Sequence, residues 1–588
     1  MAKETGKIFK TNQRIRLGIW GLGRGMSFYH TCSALNIDVV AGCDYVGHMR
    51  DRFVRDCPGA FVTDNEDEFL AQDFDAVLLA TYCPAHAKDA IKALNAGKHV
   101  LSEVTAFYTL AEGVALVEAA LKSGKVYNLA ENYPFQPSMM WLQRQWAKGL
   151  FGELQYAEFE YVHECRSLAY TYIDGVPVQP GHLMHSWRSW LNFHYSCTHS
   201  LGPIMYITGE RPTRVVALPG QPHLAGYPVA KTEGMGGATP SLINMSNGSV
   251  VRNLMGATTN DSHSQRIWGT LGAAELGHQG LVLRLGGSGG GPKMPISPSL
   301  DELAKLASKT GHGGGDFWVL YFFARQILTG QQAPWDIYNA ADVTIPGILA
   351  VRSSMEGGKA YDVPNFRLKA DRDKHRDDHW GQKPLPADSA FPKDADRKLT
   401  QHFSATMAKL IQHATQWRAY ADWSKVSAEL NQPDKILEML QRVVDTFSTM
   451  QETYAMAQKL IRAYPASLGA RVLREMLEVG GGPAAASKAS LSRLKRELAA
   501  LRTKHGIYES MMLTAAKGKL LYGSDGPVKV WVNGKVVGCQ PAATNPSVPD
   551  QYTAPVTWKK GANNVVFAIN SNRGNAWGII ARGAIDQT

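Results

Sequence analysis

The first 135 residues alternate between short apolar runs and amphipathic stretches. Residues 14–20 read as a buried strand, followed by strands at DVVAGCD (38–44), DAVLLAT (75–81), KHVLSEV (98–104) and KVYNLAENY (125–133). Between them lie the helical segments MSFYHTCSAL, HMRDRFVRDC and HAKDAIKALNAG. Strand–helix alternation of this kind predicts a parallel sheet with helices on its faces. The pattern changes after Gly152. ELQYAEFEYVHE alternates with period two, and strand-like runs return at TRVVALPG, SVVRNLMG and QRIWGTLGAAEL. These predict an α+β domain on a large, mostly antiparallel sheet, with GGSGGGP (286–292) as a loop and DFWVLYFFARQILTG (316–330) as an apolar helix.

Beyond this, 367–398 is polar and reads as a linker or an extended wrap. Residues 399–510 are predicted helical from KLIQHATQWRAYADW, KILEMLQRVVDTF and ETYAMAQKLIRAY, which carry apolar residues at helical spacing. The last segment, 511–588, reads as a β-sandwich-like module. In VKVWVNGKVV, strict alternation flanks Asn533-Gly534, a pair suited to a type I′ turn. The expected division is therefore 1–135 (a Rossmann α/β domain), 136–366 (α+β), 367–398, 399–510 and 511–588.

Charge and cysteine content narrow the function classes. Hydrophobic residues make up 44% of the chain, charged residues 19%, and the net charge is +10. The basic run SRLKRELAALRTKH has helical spacing and reads as a solvated helix face, so no nucleic acid is expected as a partner. Seven cysteines without a paired spacing do not suggest a disulfide framework. No apolar run approaches the ~18–20 residues of a membrane span, and the polar N-terminus shows no signal peptide. The cytoplasm is the default expectation, with a periplasmic or secreted location left open if a leader has been removed. A homo-oligomer is also expected.

The first strand runs into GIWGLGRGM, with Gly21, Gly23 and Gly25 ahead of Met26. A turn here needs glycine, and close approach of a pyrophosphate needs a residue without a Cβ. The helix that follows would aim its amides at the phosphates. Met26 occupies the third fingerprint position, and Gly25 is the substitute for that close helix–strand contact. Asp44 ends the second strand at the distance where a carboxylate binds the ribose 2′-hydroxyl and repels a 2′-phosphate, which favours NAD over NADP. With Arg24, these residues form the expected cofactor loop.

At this point the chain resembles the Gfo/Idh/MocA oxidoreductase family over roughly residues 14–366. DAVLLATYCPAHAKDAIKALNAGKHVLSEV carries the likeness, and it places His86 and Glu103 on family cofactor positions. Where the family has a Glu-Lys-Pro motif with a catalytic lysine, this chain reads Glu103-Val104-Thr105. A closer likeness is to the NAD-dependent glycosidases typified by α-N-acetylgalactosaminidases. It rests on AENY with Glu131, AEFEYVHE with Tyr161 and His163, CTHSLGP with His199, and GHGGGDF with His312 and Asp316. Those enzymes carry a tyrosine three residues before the motif histidine. Here that residue is Ser196, and Tyr195 is one position off.

The resemblance implies redox-neutral glycoside cleavage. NAD oxidises the sugar at C3, the C1 substituent is eliminated, water adds, and the hydride returns. Tyr161, His199, Glu131 and His163 are the expected catalytic residues. Tyr161 and His163 share one strand face, as would Cys197 and His199 in an extended stretch. With Glu131, they offer a donor set (His163, Cys197, His199, Glu131) suited to a divalent metal such as Mn2+ or Zn2+. Cys197 is also read as a packed small residue, since free cysteine is commonly buried. Asp316 is also read as the first-turn acid of its helix. Arg188, His312 and Asp316 are expected substrate contacts, and Trp187 and Trp190 read either as sugar-stacking or as core. Trp531, Trp558 and Trp577 read either as a sugar platform or, more commonly, as core. The alternatives are an NAD-dependent sugar 3-dehydrogenase without cleavage, and a non-catalytic carbohydrate-binding protein on the same fold.

Overall fold

The computed structural model describes residues 8–585, apart from 165, 167–186, 221–223, 227–236, 259–260, 278–279, 287–290, 384–396, 431–432, 505–515, 525, 542–548, 560–562 and 570–578. The chain forms two compact units, Met1–Ala419 with Thr446–Ser487, and Tyr420–Asp445 with Lys488–Thr588. The helical region is thus divided between both. Among the described residues, no helix is long and apolar enough to cross a membrane.

The first unit opens with the expected parallel sheet. Its strands are β1 (Ile15–Trp20), β2 (Ile37–Cys43), β3 (Phe61–Thr63), β4 (Ala76–Leu79), β5 (His99–Ser102) and β6 (Tyr127–Leu129), in the order β3-β2-β1-β4-β5-β6. The order reverses beside β1, so a crevice opens at the C-terminal ends of β1 and β4, where such folds take ligands. The segment 26–35, expected as one helix, is broken into two 3-10 turns around the single turn Tyr29–Cys32. The helix after β4, His86–Asn95, follows the expected span closely.

The second sheet has nine strands: β7 (Leu154–Val162), β8 (Pro212–Ala217), β9 (Ala238–Met245), β10 (Val250–Gly256), β11 (Gln265–Gly269), β12 (Gly272–Gly277), β13 (Gly280–Leu285), β14 (Met294–Ile296) and β15 (Tyr361–Asp362). They run in the order β14-β13-β12-β11-β7-β10-β9-β8-β15. All pairings are antiparallel except β7 with β10. The alternation in ELQYAEFEYV is the burial pattern of β7, with Ala157, Phe159 and Tyr161 on the covered face. Three apolar helices, Thr198–Thr208, Gly315–Thr329 and Ile337–Met355, supply much of the core.

The described part of the expected linker, 367–383, is a wrap. The Ala111 amide donates to the Asp378 carbonyl, and Arg352 forks onto the Asp378 carboxylate. Residues 384–396 lie outside the described residues. In the second unit, β16 (Ala516–Ser524), β17 (Val528–Val532), β18 (Lys535–Gln540), β19 (Tyr552–Trp558), β20 (Val565–Ile569) and β21 (Ile579–Ile585) form two three-stranded sheets, β19-β16-β21 and β18-β17-β20. Leu520, Tyr522, Val530, Val532, Val556 and Trp558 fill the space between them. Asn533 and Gly534 both take positive φ, 50° and 82°, as the type I′ turn requires. Trp558 is core, Trp531 is half-buried beneath Lys529, and Trp577 lies outside the described residues.

Candidate active site and cofactor cleft

The glycine loop is shaped by what a side chain would strike. Gly21 has φ +93°, and a Cβ there would sit 2.2 Å from the Ala80 carbonyl oxygen of β4's end. A Cβ on Gly25 would come within 2.5 Å of Ile19, so Gly25 makes the close helix–strand contact that Met26 cannot. A Cβ on Gly23 would meet nothing within 4 Å, because this glycine faces open space. That space is a cavity of about 270 Å³ lined by Gly21, Gly23, Asp44, Val46 and Trp187, among others. The Asp44 carboxylate accepts from the amides of Leu22 (2.8 Å) and Val46 (2.9 Å). Burial holds it above the usual carboxylate range, with those amides opposing. Loop and acid are thereby locked in one geometry beside a cradle that fits a dinucleotide.

A second cavity of about 600 Å³ shares Ala80, Thr81 and Trp187 with the first. Tyr161, His163, Arg188, His199 and His312 line it, together with Tyr133 and His263. Val104, at the position of the family lysine, is part of the wall. His86 is buried between the carbonyls of Thr105 (2.9 Å) and Thr81 (3.2 Å), and burial lowers its pKa despite them.

At the core of this wall, His199 Nδ1 lies 3.0 Å from Glu131 Oε1. The same oxygen accepts from the Tyr133 amide at 3.0 Å. Oε2 of Glu131 is buried without a hydrogen-bond partner among the described residues. The His199 ring packs on Tyr133 and Tyr161, with centroids 4.6 and 4.7 Å away. Burial pushes the Tyr133 phenol well up, so it remains a neutral donor at pH 7.

Extended geometry for Cys197 and His199 does not hold. Cys197 is the N-cap of the helix Thr198–Thr208, and residues two apart on a helix point in different directions. Cys197 Sγ turns to the Val343 carbonyl at 3.4 Å and lies against Gly347. Burial pushes its thiol far up, which opposes the thiolate a metal needs. Neither Cys197 nor Glu131 lines the cavity, so the set His163, Cys197, His199 and Glu131 is not assembled around one point.

Asp316 does not line the cavity itself but backs Arg24, Asn132 and His312, which do. It takes a forked ion pair from Arg24 (2.9 and 2.7 Å) and a bond from Asn132 Nδ2 (2.8 Å), with His312 Nδ1 at 3.1 Å. Burial would raise its carboxyl, but Arg24 and His312 outweigh this and hold it far below the usual range. Arg24 Nε reaches Glu103 at 2.7 Å. Arg24 thus braces the cofactor loop against the helix Gly315–Thr329 and Glu103. Tyr195 borders the cavity one position from the absent tyrosine, with its ring stacked on Tyr108 and its hydroxyl accepting from the Gln382 amide at 3.4 Å. Trp190 is fully buried core. Arg188 lies over the Trp187 ring at 4.4 Å, and both border the cavity.

Sequence reasoning did not single out Tyr133, Asp261 or His263. Tyr133 stood in the quoted AENY motif, but Asp261 and His263 sit in a polar loop with no periodic signal. Burial and the charge of His163 hold His263 below the usual imidazole range.

Residues 15–131 match the model of the Gfo/Idh/MocA oxidoreductase family with an NAD-binding Rossmann fold, and residues 298–370 match the C-terminal domain of glycosyl hydrolase 109. A glycosyl hydrolase family 109 protein of Saccharopolyspora erythraea is 27% identical over 405 residues, covering 61% of this chain and 85% of the relative. An α-N-acetylgalactosaminidase of Tannerella forsythia is 26% identical over 339 residues, covering 50% and 71%. A levoglucosan dehydrogenase solved in complex with NADH shares the fold at 17% identity and a TM-score of 0.50, covering 60% of this chain and all of that one.

Proposed function

We propose that this chain, whose residues 15–131 match the Gfo/Idh/MocA oxidoreductase family and whose residues 298–370 match the glycosyl hydrolase 109 C-terminal domain, is an NAD-dependent, redox-neutral glycosidase. The observation that carries this reading is His199, backed by Glu131 and beside Tyr161, in the wall of a cavity that also holds Val104 at the lysine position and shares Ala80, Thr81 and Trp187 with the cofactor cleft.

NAD, when bound in the cradle of Gly21, Gly23 and Asp44, supplies a hydride acceptor for the sugar C3 and a donor for its return, so the net reaction is hydrolysis. The chain must then move protons and hold negative charge. His199, fixed at Nδ1 by Glu131, is free at its other nitrogen to take the proton of the C3 hydroxyl. Glu131 sets the tautomer and balances the imidazolium that results. Tyr161, which packs on His199 from β7, is the second base in this reading, for C2–H. A positioned base of this kind contributes about 10²–10⁴-fold. Tyr133, held neutral by burial, donates to the oxygen that gains charge in the enediolate. With C2 deprotonated, the C1–O bond breaks by elimination. Water then adds at C1, and the proton at C2 is restored from solvent-exchanged acid. In this reading Arg188, over the Trp187 ring in the wall of the larger cavity, orients the sugar.

The test is incubation of the purified full chain with a panel of aryl glycosides in D2O, without added cofactor. Release of the phenol with deuterium at C2 of the sugar supports the proposal. NADH formed in proportion to added NAD+, without cleavage, would instead make the protein a sugar 3-dehydrogenase. Silence on both across the panel would leave a binding protein on this fold.

A further inference from the structure

Val162 and Ser262 exchange a pair of backbone hydrogen bonds, 3.0 and 2.8 Å, in an isolated antiparallel bridge just beyond β7. In an antiparallel pair, the neighbours of the bridged residues face each other and share one side. Tyr161 therefore stands opposite His263, and His163 opposite Asp261. Ring centroids of Tyr161 and His263 are 5.5 Å apart, and His163 Nδ1 lies 3.1 Å from Asp261 Oδ2. The loop thus brings two imidazoles and a carboxylate together, with both imidazoles in the wall of the larger cavity.

We propose that His163, Asp261 and His263 form a three-ligand site for one divalent transition-metal ion, open to the cavity on its remaining side. Their donor atoms lie within 4.8 Å of one another. Two ligands each about 2.1 Å from an ion stand roughly 3–4 Å apart, and the half-exposed Asp261 carboxylate can turn to close the difference. The surroundings hold the ligands as outer partners hold them in metal centres. Asp261 Oδ1 accepts from the Glu164 amide at 2.6 Å, which leaves Oδ2 facing His163. His263 Nδ1 is 3.3 Å from the Tyr133 hydroxyl. Two nitrogens and one carboxylate oxygen with open positions suit Zn2+, Co2+, Mn2+ or Fe2+ rather than Ca2+ or Mg2+. An ion here would meet a substrate oxygen beside Tyr161 and stabilise enediolate charge as a Lewis acid. That role rests on the glycosidase reading; the binding of the ion does not.

The experiment uses the untagged full chain, stripped with chelator, desalted and titrated with Co2+. The visible d–d band is followed, and bound metal is measured on the desalted protein. The site predicts about one cobalt per chain, with Asp261→Asn and His263→Gln each weakening binding at least about tenfold and Cys197→Ala leaving it unchanged. Thermal melts serve as the folding control, and the isosteric, exposed Asp261→Asn keeps the test open if His263→Gln does not fold. Absence of stoichiometric cobalt overturns the proposal, as does binding that survives both ligand substitutions or is lost in Cys197→Ala. Glycoside cleavage is read separately on the same samples. Cobalt binding without cleavage would sink the glycosidase reading and leave the metal site standing.

Discussion

Glu131 holds His199 across a separation of 68 residues, with Nδ1 3.0 Å from Oε1 and the carboxylate fully buried. A carboxylate in this position fixes the ring's tautomer. Glu131→Gln keeps the shape and removes the charge. We expect kcat on an aryl glycoside to fall about 10²-fold or more, with NADH binding, followed by nicotinamide fluorescence, unchanged. Activity within a few-fold of the parent would remove Glu131 from the mechanism.

The glycines of the cofactor loop separate fold from binding. Gly21→Ala forces a Cβ against the Ala80 carbonyl at a positive φ and should destabilise the chain by roughly 3 kcal/mol or more. Gly23→Ala meets only open space. It should melt like the parent and bind NADH at least about tenfold more weakly, because the new methyl occupies the place of the pyrophosphate. Equal loss of melting temperature in both variants would contradict the assignment.

Asp44 sets the choice of dinucleotide. Asp44→Asn retains an acceptor for the Leu22 amide and drops the charge that repels a 2′-phosphate. NAD+ affinity should fall by about tenfold, and the NADP+/NAD+ affinity ratio should rise. Titration with both cofactors reads this directly, and an unchanged ratio would count against Asp44 as the ribose ligand.

The Arg24–Asp316 pair predicts an acid-dependent stability. The folded protein holds the Asp316 carboxyl far below its ordinary value, burial being overcome by Arg24 and His312. A depressed carboxyl contributes stability that is complete above the unfolded value, about 4, and lost as pH falls below it. Urea midpoints of the parent should therefore decline from pH about 5 downward, and Asp316→Asn should be less stable by ~3 kcal/mol at pH 7 with a shallower acid slope. An identical slope in the variant would place the acid sensitivity elsewhere.

Much of the first domain was legible because its signals are local. The runs around Val77 and Val100, the glycines at 21, 23 and 25 and the acid at Asp44 lie within single strand–helix–strand units, where periodicity and turn chemistry decide the outcome. The type I′ turn at Asn533-Gly534 was readable for the same reason. Cys197 is the packed small residue the sequence also allowed, and the extended stretch that would have made it a ligand fails because CTHSLGP carries no mark that its helix begins at Thr198.

The amino-acid order by itself determined a parallel dinucleotide-type sheet, a large second sheet and a β-rich tail, while Glu131, Tyr161 and His199 were drawn together only by a family resemblance. Only the tertiary structure decided that Arg24 braces Asp316 across 292 positions, that the Tyr195 hydroxyl is engaged by the Gln382 amide, and that Asp261 and His263 join His163. These depend on which backbone groups pair across the fold, as Val162 pairs with Ser262. Such pairing is chosen by burial and hydrogen bonding among distant segments, and the local run of residues holds no record of it.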